Sequence, residues 1–189
     1  MKKKLLIDVD GVISNTAKSF CNMYNVLYFN KDGFVPADWH NTHKWDFNDE
    51  CTLVTPEEAD EMFDHKELYN NYSWMPDAIE VINKLCHDYC IIIATIGTKE
   101  NLRNKYYWLT DKIHVDAYYG VEMPIYGDKS HIDMSGAIYI DDVAENLEKS
   151  NAEIKICFGP VEDWNRNWDG IRCKTWKEVL NYLNKSGDS

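Results

Sequence analysis

Two short segments place carboxylates where a chain can aim them. Asp8-Val9-Asp10-Gly11 follows the apolar run Leu5-Leu6-Ile7, and Asp141-Asp142 follows Ile138-Tyr139-Ile140. With two carboxylates this close together, one can attack while the other handles a proton, and Gly11 lets the chain turn sharply afterwards. Asp-x-Asp also occurs in calcium loops and sugar-nucleotide transferases. The EF-hand pattern fails because the glycine comes too early and Ser19 stands in place of the closing glutamate. Adjacent acids repel unless a cation or hydrogen bonds hold them. A single aspartate here is explained as a helix cap, but acidic pairs at two strand ends favour a hard cation such as Mg²⁺. Thr95 closes the run Tyr89 to Thr95 just before Thr98 and a helix start, where a hydroxyl and free amides suit a phosphate oxygen. Lys129 gains meaning from order: Asp-x-Asp, threonine, lysine, Asp-Asp, with three of the four at a strand end. Lys99 and Arg103 suit phosphate contact and plain surface charge equally.

The elements that must hold these groups follow from periodicity. Continuous apolar runs at Leu5 to Val9, Tyr89 to Thr95, Ala137 to Ile140 and Lys155 to Phe158 suit strands buried on both faces of a parallel sheet. Between them, Ala17, Phe20, Cys21, Tyr24, Leu27 and Tyr28 mark an amphipathic helix over about 15–29. Thr55-Pro56-Glu57-Glu58 and Thr175-Trp176-Lys177-Glu178 read as capping boxes, Pro76 opens a helix, and Thr98 caps another. Strands alternating with helices predict an α/β fold, a doubly wound Rossmann-like parallel sheet. Residues 15–75 show helices and an aromatic polar loop without a convincing buried strand. The expected organisation is therefore a core of residues 1–14 and 76–189 with a small helical cap, 15–75, inserted after the first strand.

The 189 residues carry 20 Lys+Arg against 32 Asp+Glu, a net charge of −12. Nine acids and two lysines lie between Lys44 and Glu67, a charge run that reads first as a solvated face. Acidity of this degree argues against binding DNA or RNA polymers, whose affinity comes from Lys and Arg on phosphates, and against anionic membranes. The basic cluster Lys2 to Lys4 is followed by too short an apolar run for a signal peptide, and no stretch approaches a membrane span. Six cysteines without CxxC spacing read as reduced, mostly buried thiols. The expectation is a soluble cytoplasmic protein; a homodimer is compatible with the sequence but not required by it.

On these four motifs, Asp8-Val9-Asp10-Gly11-Val12, Thr95, Lys129 and Asp141-Asp142, the sequence resembles the haloacid dehalogenase superfamily of aspartate-nucleophile phosphotransferases. Lys44-Trp45-Asp46-Phe47, Tyr72 to Leu85, Asp128-Lys129 and Trp164 to Leu183 extend the likeness to the 5′(3′)-deoxyribonucleotidase family across nearly the whole chain. The resemblance implies that Asp8 is the nucleophile and that Asp10 protonates the leaving alkoxide and then activates water. It implies Mg²⁺ on the Asp8 carboxylate, the Asp10 carbonyl and the Asp142 carboxylate with Asp141 in support, and phosphoryl oxygens on Thr95 and Lys129. Insertion residues would shape the pocket for sugar and base. Trp45 and Phe47 are candidates to stack a base, with Trp39 and Tyr72 beside them; Phe20 is equally explained as core packing. The chain departs from the family where Thr95 is followed by Ile96 and Gly97 rather than serine, and where Thr16 replaces an aromatic residue, so Ile96 and Lys99 join the substrate-pocket candidates.

The implied activity is hydrolysis of a nucleoside or deoxynucleoside monophosphate. A sugar phosphate or other small phosphate monoester, and a non-catalytic nucleotide-binding relative, are the alternatives. The physical reading agrees with catalysis: a carboxylate attacking a phosphate dianion needs positive charge nearby, and an alkoxide leaves poorly without a proton. A phosphomutase would need to exclude water and rebind a bisphosphate, which one short cap with few basic residues suits poorly.

Overall fold

The computed structural model describes residues 2–187 apart from 45, 46, 48 and 124. Six parallel strands, β1 (Lys3–Ile7), β2 (Tyr89–Gly97), β3 (Ala117–Glu122), β4 (Ile138–Asp141), β5 (Ile154–Phe158) and β6 (Ile171–Cys173), form one sheet in the order β3-β2-β1-β4-β5-β6. The helices among the described residues are α1 (Thr16–Tyr28), α2 (Pro56–Asp64), α3 (Lys66–Asn70), α4 (Ala78–Leu85), α5 (Lys99–Thr110), α6 (Ala144–Lys149) and α7 (Trp176–Gly187), with a 3₁₀ turn at Trp39–Asn41. The doubly wound α/β reading from sequence is therefore correct.

The apolar runs are continuous because both faces are covered. Leu5, Ile7, Ile91, Ile93, Ile138 and Ile140 face a large core shared with α4, α7 and the inserted helices. Leu6, Ile92, Ala94, Tyr139 and Cys157 face a smaller one against Leu147 of α6. The chain winds outward from β1 through β2 to β3, then returns to place β4 on the other side of β1. A doubly wound sheet binds ligands at that reversal, beyond the carboxyl ends of the strands.

Two strands had no counterpart in the sequence reading. β3 is an edge strand with exposed Tyr119 and Gly120, and β6 has three residues with one buried, so neither gives a continuous apolar run. The boxes fared differently. Thr55 and Glu58 bond reciprocally, at 3.2 and 2.9 Å. Thr175 accepts from Glu178 N at 3.2 Å, but the Glu178 carboxylate takes the amide of Lys174 instead.

Between β1 and α4 the described residues carry helices and no named strand. The insertion leaves and returns through a neck: Asn15 N donates to Ser73 O and Met75 N to Ile13 O, each at 2.8 Å, around an antiparallel bridge between Ser14 and Trp74. All six cysteines are free, and no helix among the described residues is long and apolar enough to cross a membrane.

Trp176, wholly buried at the start of α7, donates Nε1–H to the carbonyl of buried Val12 at 2.9 Å, tying the last helix to the loop after β1. Trp176→Phe keeps most of the packing but strands that carbonyl and should cost about 1–2 kcal/mol in urea unfolding. Trp176→Ala should cost about 3–5 kcal/mol. A Phe variant indistinguishable from wild type would remove this bond from the account.

Candidate active site

The structure gathers Asp8, Asp10, Thr95, Lys129, Asp141 and Asp142 at the carboxyl edge of β1, β2 and β4, and buries all six. Asp8 continues the ladder beyond β1 by donating its amide to Ile140 O at 2.9 Å. The amides of Val12, Ile13 and Ser14 then all turn back onto Val9 O, which makes the sharp exit expected from the glycine. Gly11 is required twice there. Its φ of +73° suits glycine, and a Cβ would collide with the Asp142 carboxylate.

Lys129 joins the two strand ends, its Nζ lying 2.7 Å from Asp8 and 2.8 Å from Asp141. Burial alone would lower its pKa, but Asp141 and Asp8 overcome that and raise it well above the ordinary lysine value. Asp141 is further engaged by the Val143 amide at 2.8 Å, by Asn146 Nδ2 and by the Tyr139 hydroxyl. Asp142 contrasts with it. One oxygen accepts from Trp164 Nε1 at 2.9 Å, and the other is buried with no partner among the described residues.

Asp10 stands in a separate network. Its Oδ1 accepts from the hydroxyls of Tyr72 and Thr16, the latter at 3.1 Å, and its Oδ2 from Lys105 Nζ. Lys105, 1% exposed, also donates to Ile96 O at 3.0 Å and Thr95 Oγ1 at 3.3 Å. Sequence reasoning missed Lys105. A lysine on a helix carries no signal of its own; the hint available was its place three residues before Trp108, on the buried side of α5 with Leu102 and Leu109.

The remaining candidates separate. Phe20 is core: it is fully buried and stacks on Phe47 with ring centroids 4.7 Å apart, with Phe63 5.2 Å away. Its place on the apolar stripe of α1 decides that, so it is not a pocket wall. Phe47 is also buried but borders a cavity of about 400 Å³ with Trp39, Thr16 and Asp142. Trp45 lies outside the described residues. Ile96 borders a second cavity of about 320 Å³ that reaches Asp10. Lys99 is exposed and borders neither, and Arg103 pairs at the surface with Glu100 at 2.6 Å, because both point from the solvent side of α5. Tyr72 and Thr16 serve Asp10 directly.

This donor set fits a small hard cation. One oxygen from each of Asp8, Asp141 and Asp142 lies within 4.8 Å of the others, and Asp142 offers a buried oxygen that the described residues leave without a hydrogen. Asp8 is raised to about 7, chiefly by burial and then by Asp141 and Asp10, with Lys129 opposing. Burial, Asp141 and Asp8 raise Asp142 well above the carboxylate range.

Comparison with known proteins now decides the family. Residues 2–186 match the family described as 5′ nucleotidase, deoxy (Pyrimidine), cytosolic type C protein. The chain belongs to this family. Solved structures agree on the fold. A haloacid dehalogenase-like hydrolase family protein from Streptococcus pneumoniae aligns with TM-score 0.62 at 19% identity, covering 96% of this chain and 98% of its own. A protein from Clostridium acetobutylicum described as a predicted phosphatase gives 0.66 at 14%, covering 98% and 99%. A HAD-hydrolase from Bacillus subtilis, described as bound to magnesium, gives 0.65 at 13%, covering 97% and 99%. No curated protein matches the sequence. Membership of the 5′ nucleotidase family on this fold makes the chain a phosphatase of the haloacid dehalogenase superfamily.

A 5′ nucleotidase family member with these carboxylates should link protons, cation and stability. Asp8 and Asp142 hold protons more tightly folded than unfolded. In EDTA the Asp8 contribution is therefore full below about pH 4 and lost as pH rises through about pH 7, and Asp142 acts in the same direction. We expect the melting temperature in EDTA to fall by a few degrees between about pH 5 and pH 8, and millimolar Mg²⁺ to restore it mainly at the higher pH. An equal Mg²⁺ gain at both pH values would contradict this linkage.

Proposed function

We propose that the protein is a Mg²⁺-dependent phosphomonoesterase that hydrolyses nucleoside or deoxynucleoside monophosphates through a phosphoaspartate on Asp8. The observation that carries this reading is the placement of two separately supported carboxylates, Asp8 on Lys129 and Asp10 on Lys105, side by side at the sheet's reversal. One is set to attack and the other to move a proton. An Asp8 oxygen forms a bond to phosphorus as the ester P–O bond breaks, and protonated Asp10 gives its proton to the departing alkoxide. Asp10 then takes a proton from the water that attacks the phosphoaspartate, releasing phosphate and restoring Asp8. Lys129 and Thr95 hold phosphoryl oxygens. Bound at the carboxylates of Asp8 and Asp142 and the Asp10 carbonyl, with Asp141 in support, Mg²⁺ supplies the charge neutralisation that attack on a dianion requires. Residues 15–75 act as the cap, because their neck closes beside Asp10 and Tyr72 reaches it from the insertion's far end.

Lys105 acts on this scheme as a positioning residue. With Tyr72 and Thr16 it fixes the orientation of the Asp10 carboxylate, so its loss affects proton transfer more than attack.

Two measurements test the reading. Asp8→Asn should abolish phosphate release from a panel of nucleoside monophosphates with Mg²⁺ while far-UV circular dichroism is unchanged; substantial residual turnover removes Asp8 as nucleophile. Hydrolysis of sugar phosphates but no nucleotide would overturn the substrate assignment. Lys105→Met should lower kcat for nucleotide substrates by roughly 10²-fold, but by less than about tenfold for p-nitrophenyl phosphate, whose leaving group departs without a proton. An equal loss on both substrates would show that Lys105 does not act through Asp10.

A further inference from the structure

The cavity of about 320 Å³ beside Asp10, between α2 and the start of α5, belongs on the leaving-group side of the site. Asp10 borders this cavity and not the larger one, which reaches Asp142 and the cation side. The group that gives its proton to the leaving oxygen must face the alcohol that departs. This assignment therefore rests on the phosphomonoesterase reading above.

The polar lining is one-sided. Asn101, 3% exposed, spends Nδ2 on Phe63 O at 3.0 Å and on the Tyr69 hydroxyl at 2.5 Å. Because Phe63 O can only accept, the amide orientation is determined, and Oδ1 is left buried without a partner among the described residues. That oxygen lies against Gly97, which also lines the cavity, and a Cβ there would collide with it, so the missing side chain leaves the acceptor its room at the cavity wall. Asp60 and Asp64 add two carboxylates, Asp64 already accepting from the Thr98 hydroxyl. The cation bordering the cavity, Lys105, is committed to Asp10, Thr95 and Ile96 O. Phe63, Ile96 and Met123 supply apolar walls. The lining thus offers acceptors and flat apolar contact, and a buried acceptor left unpaired is costly.

We propose that this cavity is a specificity subsite for the alcohol part of the substrate, built around Asn101 Oδ1. It selects a neutral group that presents hydrogen-bond donors, and it rejects a second anionic group. A nucleoside can supply the donor from two places, an amino group on the base or a hydroxyl on the sugar.

Steady-state kinetics on two matched pairs separates these sources: monophosphates differing only in an amino or oxo group on a pyrimidine, and ribose against deoxyribose forms of one nucleotide. Wild type should prefer the donor-bearing member of one pair by at least about tenfold in kcat/KM, and Asn101→Leu should bring that ratio close to one. The ratio is read within each variant, so a loss common to both substrates cancels. A second variant keeps the test open if Asn101→Leu does not fold. Asp60 is exposed, and Asp60→Lys should narrow, at low salt, the preference for a monophosphate over the corresponding bisphosphate. Wild type without a preference in either pair, a ratio that survives Asn101→Leu, or a bisphosphate gap unmoved by Asp60→Lys would each overturn the subsite. Turnover of p-nitrophenyl phosphate, which carries no donor, tests the phosphatase reading independently.

Discussion

A lysine ammonium buried between two carboxylates holds the site together. Lys129 is 3% exposed and bridges Asp8, which extends β1, to Asp141, which ends β4. Removing three charges from water is expensive unless each has partners, and here the lysine's two carboxylates come from different strand ends. The bridge is possible only because the sheet reverses between β1 and β4, leaving a crevice where neither strand's crossover covers the ends. Two buried lysines, Lys129 and Lys105, face four buried aspartates. The cluster therefore keeps a deficit of positive charge, and the unpaired oxygen of Asp142 marks where it is greatest.

The insertion is coupled to this arrangement through Asp10. The three donors that orient its carboxylate come from three segments: Thr16 in the first turn of α1, Tyr72 just before the chain re-enters the core, and Lys105 on α5. Thr16 and Tyr72 lie at the two ends of the insertion, and their hydroxyl oxygens stand 3.0 Å apart on the same Asp10 oxygen. The neck at Ser14 and Trp74 thus does more than connect the insertion. A shift of the inserted helices that pulled Tyr72 away would loosen the proton-handling group while leaving Asp8, which is held by Lys129 and the sheet, in place.

This division explains what the sequence made legible. Asp8, Asp10, Thr95 and Asp141-Asp142 could be found because each ends a continuous apolar run, so strand and site were read from the same residues. Lys129 could be placed only through its order among them. Lys105 escaped because its partners are set by tertiary packing of α5 onto β2, and no local pattern separates a buried lysine from a surface one. Thr16 stood out as a departure from an aromatic residue, but its role as an Asp10 partner depends on Tyr72, which lies 56 residues later. Phe20 shows the opposite difficulty: an aromatic residue near an active site and an aromatic residue on an apolar stripe look alike until the stripe is seen packed against Phe47 and Phe63. β3 and β6 were invisible because edge strands need less apolar surface than central ones.

The net charge of −12 constrains how such a site can work. An anionic ester approaches an acidic protein against its overall field, so attraction must be local and short-ranged. On the cation side, Gly11 brings the backbone close to the Asp142 carboxylate; on the alcohol side, Gly97 leaves room over the Asn101 carbonyl. In both places a residue without a side chain, Gly11 after β1 and Gly97 as the last residue of β2, leaves room for a neighbouring side-chain oxygen. On the proposed function, acceptors surround the phosphoryl position, and the positive charge beside it would come from Lys129 and a bound cation. An anionic ester would then gain from this site only by placing its phosphoryl group between those two charges. A second anionic group must face Asp60, Asp64 or the solvated acidic face, none of which can stabilise it. On the proposed function, the acidity that argues against nucleic-acid polymers would act a second time, at the scale of one substrate, by favouring a single phosphate on a neutral alcohol.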